Sequence, residues 1–105
     1  MRPSRIVMPE TAKSGEIFEI KALIQHPMVT GHTAAGANTE PRFIIHTLTV
    51  TYDGEEIFRA DFFPGVAANP YVAFTTRATV SGDIVFTWTD DKGEVTTQTR
   101  GLRVS

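Results

Sequence analysis

From Asp83 to Asp90 large apolar side chains recur at every second position. Ile84, Phe86 and Trp88 fall on one side of this stretch, and Val85, Thr87 and Thr89 on the other. A period of two over this length predicts a β-strand with one heavily apolar face. Turn signals bound it, Ser81-Gly82 before and Asp91-Lys92-Gly93 after. Trp88 is the single tryptophan of the chain and sits mid-strand on the bulky face. Burial habits make it a core residue, with ligand stacking as the alternative.

The same reading gives strands along the rest of the chain. Arg5–Met8 is a short apolar run stopped by Pro9, which suits a sheet edge. The polar, small stretch from Thr11 to Gly15 reads as a turn. In Glu16–Gln25, Phe18, Ile20, Ala22 and Ile24 oppose Glu19, Lys21, Leu23 and Gln25. In Phe43–Tyr52, the alternation puts Ile44, His46, Leu48, Val50 and Tyr52 inside. It puts Phe43, Ile45 and three threonines outside. Asp53-Gly54 then signals a tight hairpin into Glu56–Phe63, whose Phe58, Ala60 and Phe62 face inward. Tyr71–Thr79 alternates through Val72, Phe74, Thr76 and Ala78, and Val95–Val104 forms the last strand. No segment carries a helical period, and no internal repeat is present.

About seven short antiparallel strands in 105 residues predict an all-β, immunoglobulin-like sandwich forming one domain over residues 1–105. Its core is expected to contain Phe18, Ile20, Leu48, Val50, Phe74, Phe86 and Trp88. If the strands run alternately up and down, the tight turns at Lys13-Ser14-Gly15, Asp53-Gly54 and Ser81-Gly82 share one end. The aperiodic stretch from His26 to Arg42, the Pro64–Pro70 connection and the Asp90–Gly93 turn then converge at the other, as binding loops do on such sandwiches.

Composition narrows the chemistry. Ten basic and 12 acidic residues leave a net charge of −2, and no basic run interleaves with aromatics, so nucleic acid is not an expected partner. No apolar run approaches the length of a membrane span. The chain has no cysteine, which removes thiol catalysis, thiolate metal sites and disulfides. Its first residues, MRPSRIVMPE, do not form the apolar stretch of a secretory signal. That leads to an expectation of the cytoplasm or of export by an indirect route.

The three histidines, His26, His32 and His46, have no metal-ligand spacing. Asp90 and Asp91 are adjacent in a turn, so their side chains diverge and are expected to cap backbone N–H groups. No serine lies in a nucleophile elbow, and no glycine-rich phosphate loop is present. The sequence therefore points away from catalysis, and no cofactor is expected. What remains is surface. Phe43 and Ile45 fall on the outer side of their strand, Phe63, Val66 and Tyr71 flank the second loop, and Pro27-Met28 open the first. Such a set points to a protein partner.

The segments His26-Pro27-Met28 with Thr30-Gly31, then Ala68-Asn69-Pro70-Tyr71, then Phe86-Thr87-Trp88-Thr89-Asp90-Asp91 resemble the SoxZ family in order and spacing. The resemblance runs from about Ile6 to Val104. It implies an immunoglobulin-like subunit that does no chemistry itself and pairs with SoxY as a heterodimer or higher assembly. SoxY holds the sulfur intermediate on a cysteine at the tip of its glycine-rich arm. It further implies a carrier for thiosulfate and sulfur oxidation in the periplasm, exported together with SoxY, that makes transient contacts with SoxAX, SoxB and, where present, SoxCD. Two departures stand out. The loop His32–Asn38 is uncharged where the family is usually basic, and His46 and Thr47 stand where an asparagine and an arginine are usual. The alternative is a generic immunoglobulin-like module binding protein or carbohydrate, with a metal-dependent redox sandwich a distant third.

Two surfaces are then candidates for partner binding. The sheet face carrying Phe43 and Ile45 is expected to make the permanent contact. The loop end carrying His26, Pro27, Met28, Asn69, Tyr71, Asp90 and Asp91 is expected to make transient ones.

Overall fold

The computed structural model describes residues 2–29, 42–63 and 68–105. Among these are eight strands and no helix. They are β1 (Ser4–Val7), β2 (Thr11–Ala12), β3 (Ile17–Ile24), β4 (Ile45–Tyr52), β5 (Glu55–Asp61), β6 (Tyr71–Arg77), β7 (Gly82–Asp90) and β8 (Val95–Val104). They form two sheets, one of order β1-β3-β6 and one of order β2-β8-β7-β4-β5. The all-β sandwich expected from the alternation is therefore present.

The eighth strand, β2, lies where the sequence reads as a turn. It pairs in parallel with the end of β8, Thr11 opposite Arg103 and Ala12 opposite Val104. Two residues are too few to show a period. The pairing departs from an otherwise antiparallel arrangement.

The core lies between the sheets. From β3 it takes Phe18, Ile20, Ala22 and Ile24, and from β4 Leu48, Val50 and Tyr52; Ile84, Phe86 and Trp88 come from β7. Trp88 is fully buried, with Leu48 on one neighbouring strand and Thr96 on the other. The register of β7 is thus as its alternation predicts. Phe74 is only partly buried. It lies on β6, an edge strand, and stacks at 4.1 Å on Phe58 of β5, the edge strand of the facing sheet. This pair closes one open side of the sandwich, and its position at the rim leaves it partly in solvent.

The hairpin at Asp53-Gly54 has positive φ at both central residues, 50° and 84°. That is the geometry the sequence pair favours, because its twist matches the flanking strands. The Tyr52 hydroxyl donates to the Val80 carbonyl and accepts from the N–H groups of Thr79 and Val80. A single side chain on β4 thereby secures the connection between β6 and β7.

Strand β4 contains the main departure from expectation. Ile45 is opposite Asp90, yet Thr47 is opposite Thr89, so His46 is an extra residue in a β-bulge. The bulge changes the phase of the alternation. Ile45, expected on the outer face, is 1 % exposed, and Ile44 beside it is equally buried. His46 is half-buried, with its Nδ1 2.7 Å from the Thr47 hydroxyl. An Ile45→Glu change would therefore place a charge in the core and act on folding before it acted on any partner.

Candidate functional site

The end of the sandwich opposite the tight turns gathers the residues that the sequence singles out. His26 follows β3, Asn69 and Tyr71 enter β6, and Asp90 and Asp91 close β7. The chain is held here by backbone pairing. The His26 N–H donates to the Asn69 Oδ1 at 3.0 Å, and the Asn69 N–H donates to the His26 carbonyl at 2.8 Å. Asn69 has φ 56°, a left-handed conformation that asparagine tolerates better than most residues. The Asp91 N–H donates to the Ile44 carbonyl at 3.0 Å, which ties the turn to the entry of β4.

Asp90 is the centre of this end. Its carboxylate is buried, and its Oδ1 accepts from the N–H groups of Lys92 at 2.9 Å and Glu94 at 3.0 Å. Its Oδ2 lies 3.4 Å from the His26 Nε2 and 3.8 Å from the Arg2 Nε. Arg2 also pairs with Glu94 at 3.1 Å, and its backbone N–H donates to the Thr96 hydroxyl. Asp91 points elsewhere. It takes a bidentate pair from Arg42, at 2.7 and 2.9 Å, and the N–H of Ile44 at 3.1 Å. The two carboxylates therefore diverge and cap backbone groups, as their adjacency in a turn predicts. The Arg42 guanidinium holds the Asp91 carboxyl below its usual range.

His26 is buried, and of its ring nitrogens Nδ1 is hydrogen-bonded while Nε2 only approaches Asp90. Nδ1 accepts the Met28 N–H at 3.1 Å, so the neutral ring carries its proton on Nε2, facing Asp90. Burial lowers its pKa from the ordinary 6.5, and Arg2 adds to the effect, while Asp90 and Glu94 oppose it. The folded protein thus binds this proton less readily than the unfolded chain. Above pH 6.5 His26 contributes no pH dependence, and stability falls as pH drops below 6.5 toward the lowered folded value. Asp91 acts lower, because its contribution is lost only below 3.8. Acidification from pH 7.5 to about 5 should therefore lower the melting temperature of the native chain by more than that of His26→Gln. Parallel melting curves at the two pH values check this. Equal losses would assign the acid sensitivity to another group.

Besides Ile45, four residues expected on the partner-binding surfaces are placed differently. His26 and Asp90 are each only 2 % exposed, drawn inward by the contacts just described, and Met28 and Phe43 depart as well. Met28 is 5 % exposed, with φ 53°, and its sulfur accepts the Ile45 N–H at 3.2 Å. It is part of the core and not a docking side chain. A methionine in this conformation stores roughly 1–3 kcal/mol of strain, offset by its burial. Phe43 is half-buried and pairs with Val29 in an isolated bridge. Its ring lies 4.3 Å from that of His26, with Arg2 at 5.1 Å and Lys92 at 4.2 Å from its centroid. Phe43 thus plugs the loop end and does not join Ile45 on a free sheet face. Pro27, Asn69 and Tyr71 are exposed as expected, Tyr71 by 54 % and Phe63 nearby by 68 %. The uncharged segment His32–Asn38, Thr30-Gly31 and Val66 lie outside the described residues.

Arg2, Arg42, Lys92 and Glu94 complete the site but carry no signal in sequence. Arg2 reaches Asp90 across 88 positions, through the docking of β1 beside β8. Among the described residues no three of His, Cys, Asp and Glu group as metal ligands. A hollow of about 680 Å³ lies at the opposite end, between Glu10, Ser81, Asp83 and Arg103, and no unpaired buried polar atom lines it. The arrangement at the loop end engages most of its own polar groups with one another, while the buried Arg2 Nε and His26 Nε2 make only ion-pair approaches and no hydrogen bond. Such a site is built to hold a shape.

Several solved structures share the fold. A superoxide reductase (neelaredoxin) from Ignicoccus hospitalis superposes with a TM-score of 0.73 at 19 % identity, covering 97 % of this chain and 80 % of the other. A putative superoxide reductase from Thermotoga maritima gives 0.75 at 19 % identity, covering 97 % and 85 %. The sulfur carrier protein SoxY from Chlorobium limicola f thiosulfatophilum gives 0.69 at 15 % identity, covering 97 % and 78 %. At these identities the likenesses show the sandwich fold alone. No curated protein gives a sequence match. The family model described as sulphur oxidation protein SoxZ, in contrast, matches residues 6–100. With that match over nearly all of the sandwich, the chain belongs to the SoxZ family of sulfur-oxidation proteins.

Proposed function

We propose that this chain is the non-catalytic subunit of a periplasmic SoxYZ carrier, and that it pairs with a SoxY-type subunit to present its bound sulfur intermediate to the oxidising enzymes. The family match over residues 6–100 carries the reading. The chemistry of the chain is consistent with it. A chain without cysteine has no thiol on which to hold sulfur, so a carrier role needs a partner that supplies one. The ordered polar groups of the loop end engage each other, which suits a rigid scaffold that a partner recognises.

The carrier would meet SoxAX, SoxB and SoxCD in turn, and those contacts must be transient. The loop end, with Pro27, Asn69 and Tyr71 exposed, suits them better than a broad face, because a small polar patch releases quickly. Co-export is testable in a bacterial host that expresses this chain with or without a SoxY-type subunit bearing its own signal. The chain should appear in the periplasmic fraction only in the co-expressing cells. Cytoplasmic retention in both would contradict the proposed location.

A further inference from the structure

The bulge that buries Ile45 also decides what the outer face of the five-stranded sheet shows. With Leu48, Val50, Phe86 and Trp88 turned inward, the outward positions of β4, β7 and β8 fall into three rows of three. The middle row is Thr49, Thr87 and Thr97. The rows on either side add four threonines and two valines, Val85 and Val95. None of the nine is charged, although 21 % of the chain is. The charges lie at the rim instead, with Arg59 and Asp61 on β5 ending two of the rows and Asp83 below the third. The outer face of the three-stranded sheet is different, since Arg5, Glu19, Lys21 and Arg77 interrupt it.

Threonine is an ordinary solvent-facing strand residue, so its presence alone decides nothing. The arrangement decides more. An uncharged centre of β-branched side chains with a charged rim is the anatomy of a protein interface. The uncharged centre, three strands by five residues, spans about 14 Å by 17 Å. With β5 and the charged rim included, four strands by eight residues span about 19 Å by 26 Å, or roughly 500 Å² in projection. The relief of the side chains raises the accessible area toward the ~800 Å² per partner that a stable complex needs. The solved SoxY is itself a sandwich that superposes over 97 % of this chain, so a partner of that kind offers sheet faces of matching twist.

We infer that the threonine-valine face of β4, β7 and β8 is the permanent docking surface for the SoxY-type subunit, packed sheet on sheet. The inference rests on the proposed pairing with such a subunit. It specifies the partner face as uncharged and rich in hydroxyl or amide groups, because threonine hydroxyls that now meet water must meet a hydrogen-bonding group once covered.

The absence of cysteine makes the test clean, because any cysteine introduced is unique in this chain. Thr49→Cys, Thr87→Cys and, on the opposite sheet, Ala73→Cys change side-chain volume little. Each variant is labelled with a maleimide, free and bound to the purified SoxY-type subunit, and the rate on this chain is read by mass spectrometry. Binding should slow labelling at positions 49 and 87 by at least about tenfold and leave position 73 within about twofold. Protection at position 73 with unchanged rates at 49 and 87 would place the partner on the other sheet and overturn the inference, while the pairing stood. Unchanged rates at all three in a complex that does form would also overturn it. Failure of the native chain to bind the subunit at all would remove the pairing and the inference together.

Discussion

Replacing Trp88 with alanine is expected to cost about 3–5 kcal/mol of folding stability, enough to leave a domain of this size partly unfolded at ambient temperature. The indole is fully buried at the middle of β7 and faces the Phe62 ring at 6.3 Å. Its removal opens the centre of the core, where both sheets are anchored and little can relax inward. Among the described residues the Trp88 Nε1 has no acceptor. Trp88→Phe therefore loses volume but no hydrogen bond, and should cost only about 1–2 kcal/mol. Chemical denaturation of both variants at one pH measures the difference. Equal costs would mean that the indole N–H, and not the ring, holds the site.

The second large effect is expected at Asp90. Asp90→Ala removes the acceptor for two backbone N–H groups and the carboxylate beside His26 and Arg2. About 3 kcal/mol should be lost, chiefly because buried groups are left without their partner. Asp90→Asn keeps an acceptor for the turn and should lose about half as much. It also removes the negative charge that raises the His26 pKa, so His26 should titrate lower still in this variant. Denaturation midpoints together with an NMR titration of the His26 ring separate the two effects. A His26 pKa that rises in Asp90→Asn would contradict the pairing of the Asp90 carboxylate with the imidazole.

Much of the fold was legible in the alternation, and the exceptions have physical causes. Ile84, Phe86 and Trp88 face inward as their period predicts, because β7 is regular over that length and central in its sheet. On β4 the same reasoning fails at Ile45. A bulge adds one residue without any composition signal, so the strict alternation breaks there and Ile45, assigned outside, is buried beside Ile44, which was assigned inside. The short parallel strand Thr11–Ala12 is set by its pairing with β8 and not by its own residues. At the loop end, the capping role of Asp90 and Asp91 follows from local turn chemistry and was readable. The burial of Met28 and the plug made by Phe43 were not, because Met28 packs against the entry of β4, where its sulfur meets the Ile45 N–H, and Phe43 is met by Arg2 and Lys92 from distant parts of the chain. The outer face of β4 remains the candidate for the permanent contact, but its threonines, not Phe43 and Ile45, are the side chains that present it.

The measurement closest to the central claim is a binding titration between this purified chain and a purified SoxY-type subunit, with the mass of the product read by light scattering. A stable mixed complex containing both chains is expected, with a dissociation constant below about 1 μM, as a permanent interface of ~800 Å² per side supports. Two separate species persisting at about 100 μM of each chain would contradict the proposed pairing.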